Sequence, residues 1–261
     1  MKLLRFILAF FTIAVSLHAE DGIIINTDSL PTVLLPDIEY KTNQLKVQGA
    51  PLIVPAVFIS YGVLAQVWKP LQRLDERIDR EVNRHFTQHR KFDDYLQFAP
   101  VAAVYGLDLA GVKAKHNFRD RTLVVVTSHL IVSGVVQTVK RTTCVERPDG
   151  SSFHSFPSGH TATAFVGAHI LFREYQDVTP WIGVVGYAAA TTVGVMRITN
   201  RKHWMSDVVA GAGVGILSAE IGYMMLPVFH KIIGVEQTRS ALTIMPVVGN
   251  NQYGLGMAVV F

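Results

Sequence analysis

Five apolar stretches of helical length, at about 96–112, 122–139, 161–172, 181–196 and 208–226, follow one another between residues 96 and 226 of this 261-residue chain. Each is too long for an ordinary strand, and charged or turn-forming connections separate them, so the pattern predicts a helical bundle. Hydrophobic residues make up 49% of the sequence, and the mean hydropathy of +0.30 is high for a water-soluble enzyme. Membrane residence is the expectation. None of the stretches is purely lipid-like, because Asp108, His129 and Glu220 interrupt three of them. An ionisable group in a span usually faces the bundle interior and bonds another polar group there.

Upstream, Lys2 and Arg5 precede an apolar run over 6–17 and then Ala19, which reads as an export signal with an imperfect cleavage site at Leu17, or as an uncleaved anchor. Residues 20–50 carry Pro31 and Pro36 without a sustained period and read as an irregular pre-domain. Residues 51–68 are long enough for a marginal span. Residues 69–94 are densely charged, yet Leu71, Leu74, Ile78 and Val82 recur at helical spacing, predicting an amphipathic helix at a membrane surface. The main domain is expected over 51–230. In the tail, 231–261, Tyr253, Leu255, Met257, Val259 and Phe261 alternate with Gly254, Gly256, Ala258 and Val260 after the turn signal Gly249-Asn250-Asn251, which predicts a short β-hairpin. The run Gly211-Ala212-Gly213-Val214-Gly215 lacks a dinucleotide fingerprint and reads as a site of close helix packing.

The net charge of +4 is modest and its basic residues are scattered, so nucleic-acid binding is not expected. The single cysteine, Cys144, excludes an intramolecular disulfide and a cysteine-based metal site. Lys113, Lys115, Arg119 and Arg121 crowd one connection, which the positive-inside rule assigns to the cytoplasm. The next span would then carry Lys140 to the periplasmic face, together with the charged 69–94 helix. A cleaved signal followed by one crossing at 51–68 contradicts that placement. Either 51–68 dips in without crossing, or the first segment inserts and stays, or the bundle is a soluble periplasmic one.

Three short blocks carry the chemistry. Lys140 lies seven residues before Arg147-Pro148, Pro157-Ser158-Gly159-His160 follows, and Arg197 precedes His203 and Asp207 as R-x5-H-x3-D. A phosphoryl group in transfer spreads negative charge over its equatorial oxygens and needs fixed cations and N–H donors around them, with a nucleophile and a proton donor in line. Lys140, Arg147 and Arg197 supply cations, and arginine's planar fork suits phosphate oxygens. Ser158 and Gly159 offer backbone N–H groups at an expected helix N-terminus, where anions bind. If the third block is helical, His203 and Asp207 share a face and the carboxylate can orient the ring. His203 is then the nucleophile, forming a phosphohistidine, and His160 the general acid. No metal or other cofactor is expected.

Each side chain taken singly has an ordinary explanation: snorkelling cations at helix ends, loop histidines, and Asp207 as a helix cap. Ten specified positions in order, each matched by chance at roughly one in twenty, make an accidental match negligible. The blocks resemble the signature of the type 2 phosphatidic acid phosphatase (PAP2) superfamily, which also contains bacterial class A acid phosphatases and vanadium haloperoxidases. The motifs span 140–207 and the likeness extends over about 96–226. One departure is Met196, where the family usually has Ser.

The resemblance implies an all-α bundle of the PAP2/haloperoxidase type. It implies a phosphoric monoester hydrolase with Arg197 binding phosphate, His203 attacking, Asp207 orienting and His160 acting as acid. With the export signal and apolar helices, it points to a phosphorylated lipid as substrate: lipid A phosphate or undecaprenyl pyrophosphate first, then phosphatidate or phosphatidylglycerophosphate. The alternatives are a soluble exported acid phosphatase, a haloperoxidase, and a non-catalytic membrane protein. The oligomeric state is left open.

Overall fold

The computed structural model describes residues 50–85 and 92–233, and the backbone of 242–249 and 252–259. The expected signal at 1–19 and almost all of the pre-domain at 20–50 lie outside the described residues. The described chain forms eight helices: α1 (Ala50–Val67), α2 (Lys69–His85), α3 (Asp93–Leu96), α4 (Ala99–Leu109), α5 (Phe118–Thr143), α6 (Gly159–Tyr175), α7 (Pro180–Thr199) and α8 (Met205–Ile232). Four of the five apolar stretches lie wholly within helices, and α4 takes up 99–109 of the stretch at 96–112.

The fold is an all-helical bundle. Helix α8 is its axis, packed against α1, α5 and α6, while α7 packs along α6. Glycines set these close approaches. A Cβ on Gly211 would lie 2.6 Å from the Ser158 carbonyl oxygen, and one on Gly213 would lie 2.8 Å from that of Pro55. The small-residue run at 211–215 therefore lets α8 touch two neighbours at backbone distance, as its spacing predicts. Val104, Val124, Val132, Val166, Ile170 and Tyr175 fill the core between α4, α5 and α6.

Among the described residues three helices, α5, α7 and α8, are long and apolar enough to cross a membrane, and α1 with α2 forms a fourth candidate bent by 94°. Much of this apolar surface faces outward: Leu130 is 69% exposed, Val185 68% and Trp181 72%. A belt of that extent suits acyl chains rather than water. The interrupting polar residues turn inward or to their own helix. Asp108 pairs with the buried Arg121, Glu220 accepts from His169 and Arg173, and His129 Nδ1 lies 2.8 Å from the Val125 carbonyl oxygen.

One expectation changes. Arg121 is a buried partner of Asp108 rather than a loop cation, so the basic connection presents Lys113, Lys115 and Arg119 alone to solvent. Helix α2, expected as an amphipathic helix at a membrane surface, also makes a polar contact with the bundle that its period did not show. Its buried residue is Asp75, which accepts from the Ser206 N–H and hydroxyl, whereas Leu74 is exposed. A carboxylate meeting the free N–H groups at the start of α8 outweighs a stripe of leucines. These bonds place the end of α1 and all of α2 beside the start of α8, while the basic connection before α5 lies at the other end of the bundle.

The short β-hairpin expected in the tail is not supported, and the fold is that of the helices alone.

Candidate active site

The three blocks meet at one end of the bundle. Lys140 ends α5, Arg147 lies in the connection to α6, His160 is in the first turn of α6, Arg197 ends α7, and His203 and Asp207 bracket the start of α8. His203 is 2% exposed and Asp207 fully buried.

Their local order follows from unpaired helix ends. Asp207 Oδ2 accepts from the Trp204 N–H at 3.0 Å, which caps α8. The same oxygen accepts from the Ser155 hydroxyl at 2.5 Å and lies 3.5 Å from His203 Nδ1. Capping and orientation are therefore one arrangement. His203 itself precedes the helix instead of sharing a helical face with Asp207, a correction to the sequence reading. The cap bends the carboxylate back over the turn, and this brings it to the ring. At 3.5 Å the contact is long for a hydrogen bond. His203 Nδ1 and Asp207 Oδ1 have no other partner among the described residues.

Helix α6 starts at Gly159 with Ser158 as its N-cap. Ser158 differs from expectation, because its N–H donates to the Asp207 carbonyl at 3.0 Å and its hydroxyl lies 2.9 Å from that of Thr161. Its polar groups hold the two motif loops together. The helix offers no acceptor for the N–H groups of Gly159, His160 and Thr161, which remain as anion donors.

Lys140 donates to the carbonyls of His154 at 2.6 Å and Ser155 at 3.0 Å, so it props the connecting loop as well as charging the site. Arg147 and Arg197 are closer to the expected role. Each keeps a buried Nε with no partner among the described residues. Arg197 Nη1 donates to Asp93 at 2.6 Å.

Burial, then the charges of Lys140, Arg197 and Arg147, push the His203 imidazole well below its ordinary range, with His160 adding to them. The ring is thus neutral at neutral pH. Burial and Arg197 also lower His160, opposed by Asp94 and Asp93. Burial and the neighbouring Arg197 even lower the Arg147 guanidinium. Three cations held around one histidine make this end of the bundle electrostatically suited to an anion.

Residues 121–231, which contain every residue of the three blocks, match the family model of the PAP2 superfamily. They are a PAP2 superfamily domain. The lipid A 1-phosphatase of Porphyromonas gingivalis is 40% identical over 136 residues, which cover 52% of this chain and 31% of that protein. The bacitracin transport permease protein BcrC of Bacillus licheniformis is 36% identical over 74 residues, 28% of this chain and 34% of the relative. A lipid A 1-phosphatase of Rhizobium johnstonii is 40% identical over 65 residues, a quarter of each chain (25% and 25%). The match thus spans about a third of each relative or less.

Around this PAP2 domain the structure brings in residues that no motif pointed to. Asp93 is buried on Arg197, and Asp94 Oδ1 lies 2.8 Å from His160 Nε2. Ser155 holds Asp207. Asp79 takes Arg201 as a bidentate pair at 2.8 Å for each contact, and Arg201 also donates to the Pro148 carbonyl at 3.0 Å. Lys202 pairs with Asp149 at 2.6 Å and holds that carboxyl down at about 2, against the opposing effect of burial. Ser155, two residues before the second block, Asp149, two after Arg147, and Arg201 and Lys202, inside the third block, lie next to the motifs in the sequence. Asp79, Asp93 and Asp94 come from segments far away in sequence and became legible only through folding.

Proposed function

We propose that this protein is a membrane-embedded phosphatase that hydrolyses the phosphate monoester or pyrophosphate of a lipid, with its active site at the periplasmic face of a bacterial inner membrane. The observation that carries the reading is the buried His203 within the field of Lys140, Arg147 and Arg197, with Asp207 behind it and His160 beside it. The domain is expected over 51–230, preceded by a signal or anchor.

In this mechanism the phosphate oxygens take the Arg147 and Arg197 forks, the Lys140 ammonium and the first N–H groups of α6. Asp207 holds the proton on His203 Nδ1, leaving the Nε2 lone pair to attack phosphorus. The P–O bond to the lipid breaks as the P–N bond forms, and His160 gives its proton to the departing oxygen. Water then attacks the phosphohistidine, His160 takes the water's proton, and phosphate leaves. All charge compensation comes from side chains and backbone, so chelators are expected to leave the rate unchanged.

The exposed apolar belt and the lipid A 1-phosphatase names of two relatives support lipid A phosphate as the first substrate to test, with undecaprenyl pyrophosphate, phosphatidate and phosphatidylglycerophosphate after it. The test is phosphate release by purified protein in detergent from each lipid. Preference for lipid A supports the assignment; activity confined to water-soluble esters would overturn the lipid reading in favour of a broad acid phosphatase. Vanadate should inhibit, because it adopts the pentacoordinate geometry of the transition state.

A further inference from the structure

Helix α3 is a single turn, yet it touches both catalytic sides of the site. Asp93 turns inward, 1% exposed, and takes Arg197 Nη1 on Oδ2, with Asn200 Nδ2 at 3.4 Å from its other oxygen. That buried pair pins the backbone of the turn. The next residue, Asp94, is thereby held with Oδ1 at 2.8 Å from His160 Nε2, across 66 positions of sequence. It also lies 3.9 Å from Arg197 Nη1.

We propose that Asp94 is the positioning residue of the acid catalyst: by holding His160 at Nε2 it sets the ring's orientation and leaves Nδ1 as the nitrogen that serves the departing oxygen. This rests on the phosphatase reading above. Half-exposed ion pairs usually contribute little to stability, but this one is tied to a buried pair on the adjacent residue and acts on a group whose charge state matters to the reaction. The charged and titratable groups around His160 are Asp93 and Asp94 from α3, Arg197 from α7 and His203 from the turn before α8. Burial and Arg197 disfavour the imidazolium that a general acid requires, and the two carboxylates oppose that shift without reversing it. Asp94, as the one bonded to the ring, carries the orientation.

The experiment uses the full chain in detergent micelles with isotope-labelled histidine, the His160 signal being assigned by its loss in His160→Gln. In Asp94→Asn the titration midpoint of His160 should fall by about one unit, and Asp94→Glu should restore most of it. In parallel, Asp94→Asn should lower kcat on an alkyl phosphate, a poor leaving group, by about tenfold or more. The loss on 4-nitrophenyl phosphate should be smaller, and the alkaline limb of the pH profile should move to lower pH. An unmoved ring titration, or equal losses on both esters, would overturn the assignment. A wild-type protein that releases phosphate from neither ester and from none of the lipids named above would remove the acid role together with the phosphatase reading. The ring titration needs no turnover, so it separates that failure from a failure of the Asp94–His160 pair.

Discussion

His203 and Asp207 illustrate how one carboxylate serves two ends. Oδ2 caps the first turn of α8, accepts from Ser155 and approaches the ring, so Asp207→Asn puts an amide where three donors converge. The variant should fold less stably by about 1 kcal/mol or more and lose activity on the order of 10²-fold or more by misorienting the ring; thermal unfolding and kcat measured together separate the two. His203→Ala should abolish turnover and the trapping of labelled phosphohistidine while the protein stays folded. The pH dependence follows from the two histidines. His203 must be neutral and lies well below its usual range, so its limb falls far to the acid side. His160 must be protonated and is also lowered, so activity should decline as pH rises through a value below the ordinary imidazole pKa. A kcat/KM profile on a soluble ester checks this, and His160→Ala should remove the alkaline limb.

At the scale of elements, the site is held by ties between helix ends. Asp75 on α2 binds the N-terminus of α8 through Ser206, and Asp79 binds Arg201 two residues before the nucleophile. Asp79→Ala should free Arg201 and loosen the turn from 200 to 204, raising KM more than it lowers stability; steady-state kinetics and denaturation on the same variant check it. Close packing at Gly211 sets the opposite expectation. Gly211→Val would drive a side chain against the Ser158 carbonyl, and overpacking of this kind costs about 1–3 kcal/mol. The apolar period foretold the helices, and the small-residue run foretold a close approach. The same pattern was silent on α2, whose leucines suggested an apolar contact while its carboxylates make the decisive ones, because charge meeting a helix terminus is invisible to periodicity.

For the whole molecule, the arrangement of ends matters most. The catalytic loops and α2 share one end of the bundle, and the exposed Lys113, Lys115 and Arg119 sit at the other. Cys144, exposed and just before Arg147, is a built-in reporter of which end faces out. A membrane-impermeant maleimide should label it in cells whose outer membrane has been permeabilised, before lysis. Labelling only after lysis would reverse the orientation. Extraction should require detergent, since the outward belt around Leu130, Trp181 and Val185 is left uncovered by the described residues.

Residue types and spacing alone determined the reaction chemistry expected here and the helical class, because phosphate oxygens demand a particular set of cations and donors, and burial of apolar faces demands a helical period. Only the tertiary structure decided which groups remain free to act. Ser158 spends its N–H on Asp207, Lys140 props a loop, Arg121 is buried with Asp108, and Asp93 and Asp94 arrive from a turn about a hundred and about seventy residues before the groups they hold, Arg197 and His160. Hydrogen bonds between segments so far apart in the chain leave no local periodicity, and it is the packing of α6, α7 and α8 that brings their partners within reach.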